Sequence, residues 1–204
     1  MKHRLFVSAL ALTMTGGALA APIKFDFKDP KGVNNVVFLL DAPLESINGT
    51  ATGISGKVDF DPANPAALKG RIVVAADSMH VPNPMMKQHL HGAQWMDVQK
   101  FPELTFEVES VANVKTVGDK TTADVTGTIT LKGTAKKTTV PVEMTYLKDK
   151  LKDRSNGQMQ GDLLVLRSKF SIKRSDFNIN AGQNEDKVSN EIQVTLSLAG
   201  LAPK

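Results

Sequence analysis

The sequence predicts an all-β protein: eight antiparallel strands closed into a barrel, with one short helix near the barrel mouth. Three observations carry this. After the first twenty residues the dominant hydrophobic period is two, the connections are short and rich in turn residues, and a single stretch, Pro82–Val98, departs from that period.

In chain order, Val33–Leu40 is the first strand. In the second, Ile54, Gly56, Val58 and Phe60 alternate with Ser55, Lys57 and Asp59. The proline-bearing turn Asp61–Pro65 leads into Leu68–Ala76. Then comes the exception. Pro84 sits near its start, Asn83 is placed to cap it, and Met85, Met86, His89, Leu90 and Ala93 recur at spacings of three and four, which is a short helix that Gly92 weakens or ends. Lying between two strands, this helix is placed to cover an open end of the barrel. Leu104, Phe106 and Val108 resume the period of two. A Val117–Lys120 turn precedes Val125, Gly127, Ile129 and Leu131, and a Lys132–Lys137 turn precedes Val140, Val142 and Met144. The polar stretch Asp149–Asp162 reads as an exposed loop before Leu163–Ile172, and Ile192, Val194, Leu196 and Leu198 form the last strand. Strands with one apolar face each must close on themselves or sandwich. An eight-stranded barrel leaves an interior just wide enough for side chains or one small ligand.

Residues 1–20 are expected not to belong to the fold. Lys2, His3 and Arg4 are followed by apolar Leu5–Met14 and by Ala18-Leu19-Ala20, the pattern of a secretory signal cut after Ala20. The expectation is therefore an exported, periplasmic protein with one domain over 21–204 and no membrane-spanning helix. The net charge of +4 includes Lys2 and Arg4, so the mature chain stands near 4 − 2 = +2. With no dense basic run, nucleic acid is not an expected partner. The absence of cysteine excludes thiol catalysis and cysteine-ligated metals. No Gly-x-Ser-x-Gly elbow, paired-carboxylate pattern or phosphate loop occurs, so an enzyme is not expected.

Four segments then resemble a known family. They are INGTATGISGKVDFDP (Ile47–Pro62), HLHGAQWMDVQKFPELTFE (His89–Glu107), VTGTITLKGTAKKTTVPVEM (Val125–Met144) and SKFSIKRSDFNI (Ser168–Ile179). In order and spacing they are similar to the YceI-like family, and the likeness runs from about Phe25 to Ala199. The family pattern is carried by His89-Leu90, Trp95-Met96-Asp97, Phe101-Pro102, Thr105-Phe106 and Arg174-Ser175-Asp176-Phe177, with Asn178 where glycine is usual. The resemblance implies an exported, lipocalin-like barrel that binds a polyisoprenoid, an isoprenoid quinone or another long amphiphile, and it allows a homodimer. The early histidines of the family are missing from Gly32–Phe38, and Met86-Lys87-Gln88 replaces its Arg-Asp pair. A different head group or a shorter ligand is therefore expected wherever those groups meet the ligand. The alternative is a stress-responsive periplasmic protein that acts through protein partners, its barrel filled by its own side chains. No cofactor is expected beyond such a lipid.

The candidate wall comes from the inward strand faces: Phe38, Ile54, Val58, Phe60, Ile72, Val74, Phe106, Ile129, Val142, Phe170 and Ile172, some of which must form the closed end. His89 is expected to pack or hydrogen-bond onto the barrel rim and His91 to be solvated. On a helix the two histidines diverge by about 200°, which argues against one shared metal. Trp95 is expected either to pack in the core or to touch the ligand. Arg174 continues the inward phase of its strand, so it must find a partner: Asp176 or a carbonyl at the barrel end, or else an anionic head group at the mouth.

Overall fold

The computed structural model describes residues 21–204. The expected signal segment, 1–20, lies outside the described residues. Eleven strands form: β1 (Ile23–Asp26), β2 (Asn35–Asp41), β3 (Ser46–Ala51), β4 (Ile54–Phe60), β5 (Lys69–Ala75), β6 (Met79–His80), β7 (Glu103–Val117), β8 (Lys120–Leu131), β9 (Thr134–Leu147), β10 (Gly161–Lys173) and β11 (Glu191–Pro203). Two helices, α1 (Pro84–His91) and α2 (Leu151–Arg154), join them. No helix among the described residues is long and apolar enough to cross a membrane.

Pairing runs β1-β4-β5-β7-β8-β9-β10-β11, and Asp26 opposite Leu201 returns the ring to β1, closing an eight-stranded antiparallel barrel. The eight expected strands are all present, but the ring is closed differently. β1, unforeseen because only Ile23 and Phe25 mark it, occupies the place expected for β2. β2 instead pairs with the Gln193–Ser197 stretch of β11 and carries β3 and then β6 outward. β3 was hidden by Asn48-Gly49, which reads as a turn; in the fold Gly49 lies opposite Phe38, and the Phe38 ring occupies the space a Cβ would need. The turn expected over Lys132–Lys137 shrinks to Lys132-Gly133, both at positive φ, as a tight hairpin requires. The loop expected over Asp149–Asp162 contains α2, whose Leu151 is fully buried.

Two apolar clusters occupy the two ends of the barrel. The closed end packs Phe25, Phe27, Phe60, Met144, Leu164 and Leu198. Tyr146 joins them, its ring 6.3 Å from Phe25 and 6.4 Å from Phe60. Its hydroxyl donates to Asp162 at 3.0 Å, and burial together with that carboxylate pushes the Tyr146 pKa up to about 12. The mouth end gathers Phe38, Met79, Val81, Met96, Leu131 and Phe177 beneath α1 and the 178–190 loop.

Candidate functional site

Between the two clusters the barrel is not filled. A cavity of about 900 Å³, open to solvent at one end, runs down from the mouth. At roughly 30 Å³ per water it has room for about thirty waters. Protein interiors hold few voids larger than one water, so this is not a packing defect. It stays open because the inward positions at mid-barrel are mostly of modest size, among them Val36, Val108, Val142, Val194 and Leu196. Gly127 lets Phe106 lie flat along the wall: a Cβ there would stand 2.7 Å from the Phe106 ring.

Of the expected wall, Phe38, Val58, Ile72, Val74, Phe106, Ile129, Val142, Phe170 and Ile172 line the cavity. Ile54 and Phe60 do not. Both are buried: Phe60 packs at the closed end, and Ile54 sits on the other side of Val58 along β4, opposite Val74. Strand alternation assigns a residue to the inner face but carries no information on depth along the barrel. The side-chain-filled alternative does not describe this barrel.

At the mouth, α1 forms as the sequence suggested. The Asn83 side chain accepts from the backbone N–H of Met85 at 2.9 Å and of Met86 at 3.1 Å, Pro84 opens the first turn, and Gly92 ends the helix with its N–H on the His89 carbonyl. The roles of the two histidines are reversed from expectation. His89 is exposed at the cavity rim, whereas His91 is half-buried, and its Nε2 stands 2.7 Å from the Met79 carbonyl oxygen, tying α1 to β6. No group of three His, Cys, Asp or Glu side chains among the described residues could hold a metal.

Arg174 is 1 % exposed and lines the upper cavity. Each of its five N–H donors is already used. Nε donates to Ser189 O at 2.9 Å, Nη1 to Ile179 O at 2.9 Å and Asn180 O at 2.8 Å, and Nη2 to Gln183 O at 3.2 Å and Val188 O at 2.8 Å. Of the expected partners, carbonyls are therefore the ones found; Asp176 is exposed and makes no ion pair with Arg174. The guanidinium has no free donor for a head group. It organises the 178–190 loop, and its Cζ lies 5.4 Å from the centre of the Trp95 ring, which couples that loop to the segment after α1. Burial lowers its pKa from the usual value, and Glu185 opposes the shift. The polar groups that do face the mouth are mostly uncharged: Gln88, Gln94, Asn180 and Asn184, with Glu45 and Lys187 of opposite sign.

Fold and site together define a closed antiparallel barrel with an apolar, one-ended cavity under a helix-and-loop cover. Residues 31–199 match the YceI-like domain, and the chain belongs to that family. It is 29% identical to Protein YceI of Salmonella newport (strain SL254) over 98% of this chain and 96% of that one. Among solved structures, BcnA of Burkholderia cenocepacia is similar at 26% identity and a TM-score of 0.66, with 81% of this chain and 95% of that one covered. A polyisoprenoid binding domain from Saccharophagus degradans shares the fold at 13% identity and a TM-score of 0.65, over 89% and 99% of the two chains.

Proposed function

We propose that this chain is an exported, periplasmic binding protein, not an enzyme, that holds the apolar tail of a long amphiphile in its barrel. A polyisoprenoid, an isoprenoid quinone or a similar lipid is the ligand class. The observation that carries the reading is the open apolar cavity of about 900 Å³. The signal-like pattern of residues 1–20 supports export. The polyisoprenoid binding domain from Saccharophagus degradans, which has the same fold, supports the ligand class.

The energetics are those of transfer from water. Each buried methylene contributes about 0.8 kcal/mol, so a long tail binds with few polar contacts even after the cost of ordering it. Phe38, Phe106, Ile129, Val142, Phe170 and Ile172 would meet the tail, Trp95 and His89 the region near the head. Arg174 would keep the cover in place rather than touch the head group. The test is titration with cis-parinaric acid, a fluorescent long-chain fatty acid, followed by displacement with an isoprenoid alcohol. Saturable one-to-one binding that the alcohol reverses is expected. A protein that leaves the probe's fluorescence unchanged at all concentrations would rule the reading out.

A further inference from the structure

In a closed barrel every strand is paired on both sides, and no backbone edge remains free. This barrel departs from that at several seams: β1 meets β11 at a single register pair and β5 meets β7 only over Arg71–Ala75, both toward the closed end, whereas the seam between β9 and β10 is incomplete toward the mouth. β10 pairs with β11 along its whole length, from Gly161 opposite Pro203 to Lys173 opposite Glu191, and β9 pairs with β8 from Thr145 to Thr134. β9 and β10 pair with each other only from Leu147 opposite Leu163 to Val142 opposite Ser168. Above that point the mouth half of β9, Thr134–Pro141, and the mouth half of β10, Lys169–Lys173, each have a ladder on one flank alone.

Pro141 stands where the strands part. Pro141 has no N–H to donate, and proline inside a sheet is confined to edges. Its carbonyl is taken by the Ser168 hydroxyl at 2.6 Å, which closes the ladder at its last rung. At the top the two strands are bridged only indirectly. The turn Arg174–Phe177 follows β10, Phe177 is buried in the mouth cluster, and Asn178 Nδ2 reaches Thr134 Oγ1 at a long 3.4 Å. The inner side of this seam is the cavity wall itself, since Val140, Val142, Ser168, Phe170 and Ile172 all line the cavity. On the flank, a surface groove rimmed by Asp124, Glu143, Arg167 and Lys169 also reaches Val142 and Ser168, so groove and cavity share these two residues.

We infer that the β9–β10 seam is a lateral doorway through which the apolar tail enters and leaves the cavity, with Pro141–Ser168 as its hinge and Thr134–Asn178 as its latch. This rests on the cavity being the ligand site. The physical reason is that segments with few backbone ladder bonds open at lower cost than fully paired ones. A long chain that moves sideways through a parted seam need not thread end-on beneath Trp95 and the 178–190 loop.

The chain contains no cysteine, so the seam can be locked cleanly. Thr134→Cys with Asn178→Cys bridges the latch. Thr139→Cys with Ser171→Cys, three residues past the last pair on each strand, spans the parted strands lower down and serves if the first pair does not fold. The cysteine pairs are closed with a short bifunctional thiol reagent, and cis-parinaric acid exchange is followed by stopped flow. The locked protein is expected to bind the probe with unchanged equilibrium affinity while association and dissociation both slow by about tenfold or more, and the uncrosslinked double variant to exchange at the wild-type rate. Equal exchange rates in the locked and unlocked proteins would overturn the doorway and leave the cavity reading standing. If the wild-type protein binds no probe, the cavity reading falls first and the doorway with it.

Discussion

The two ends of the barrel are built from the same eight strands and have opposite properties. At the closed end, inward positions carry aromatic rings: Phe25, Phe27, Phe60 and Tyr146 meet across the barrel and leave no room. Toward the mouth the same alternation carries valine, isoleucine and leucine around a void, and the aromatic rings that remain, Phe38, Phe106 and Phe170, lie along its wall. The closed end is also anchored by ions. Lys204 reaches Asp162 at 2.9 Å and Asp149 at 2.7 Å, and Arg154 reaches Asp29 at 3.2 Å. The mouth is held instead by one buried guanidinium, a cap and a histidine. Aromatic packing and ion pairs fill one end, and the cavity is left free toward the other.

The largest expected effect breaks the closed end. Phe60→Ala should cost about 3–5 kcal/mol of unfolding free energy in urea titration, while probe affinity per folded molecule stays the same. A smaller loss accompanied by lost binding would show that the two ends are not separate. Next is Arg174→Met, which leaves five carbonyls without their donor. A cost of about 3 kcal/mol is expected, with accelerated hydrogen exchange confined to residues 178–190 and the segment around Trp95. Arg174→Lys should restore little of it, because an ammonium cannot reach five acceptors arranged for a planar fork. Val194→Trp fills the void from β11. Probe binding should weaken by about tenfold, or about 1.4 kcal/mol, with little change in stability because the ring enters empty space.

The histidines give a finer contrast. His91→Ala should cost about 1 kcal/mol through loss of its bond to Met79, and His89→Ala should leave stability unchanged. The smallest effect is on the pH profile. Burial acts to raise the Asp162 pKa, but the Asp149 N–H, the Lys204 ammonium and the Tyr146 hydroxyl outweigh it, and the net shift is downward. A lowered folded pKa means that the stabilisation is present above the unfolded carboxyl value and is lost as pH falls through the folded one. Acid unfolding of the wild type should therefore steepen below about pH 4, and Asp162→Asn should flatten that limb.

Much of this was legible in the sequence. The alternation indicated which face of each long strand points inward, and Asn83-Pro84 marked the start of α1, while Gly92, read as weakening or ending the helix, ends it. What escaped had local causes. β1 is too short to show a period, and β3 carries an Asn-Gly pair whose purpose, making room for Phe38, exists only after β2 has paired with it. Depth was invisible as well, so Phe60 could not be separated from Ile129 or Phe170 by phase alone. His89 and His91 differ by one bond to a carbonyl on another strand, and no sequence spacing encodes that. Arg174 was recognisably a buried charge in need of partners. That all five donors would close on the loop just after it became visible only in the fold. Pro141, set in an alternating strand, could have flagged the incomplete edge, but the alternation around it hid that signal.

The central claim is that the void is a ligand site. Native mass spectrometry of the protein purified from its own host tests it most directly. The claim predicts an added mass that organic solvent extracts and that fragments as a long apolar chain. A spectrum showing only the bare polypeptide, from a protein that also fails to take up isoprenoid lipids offered in solution, would contradict it.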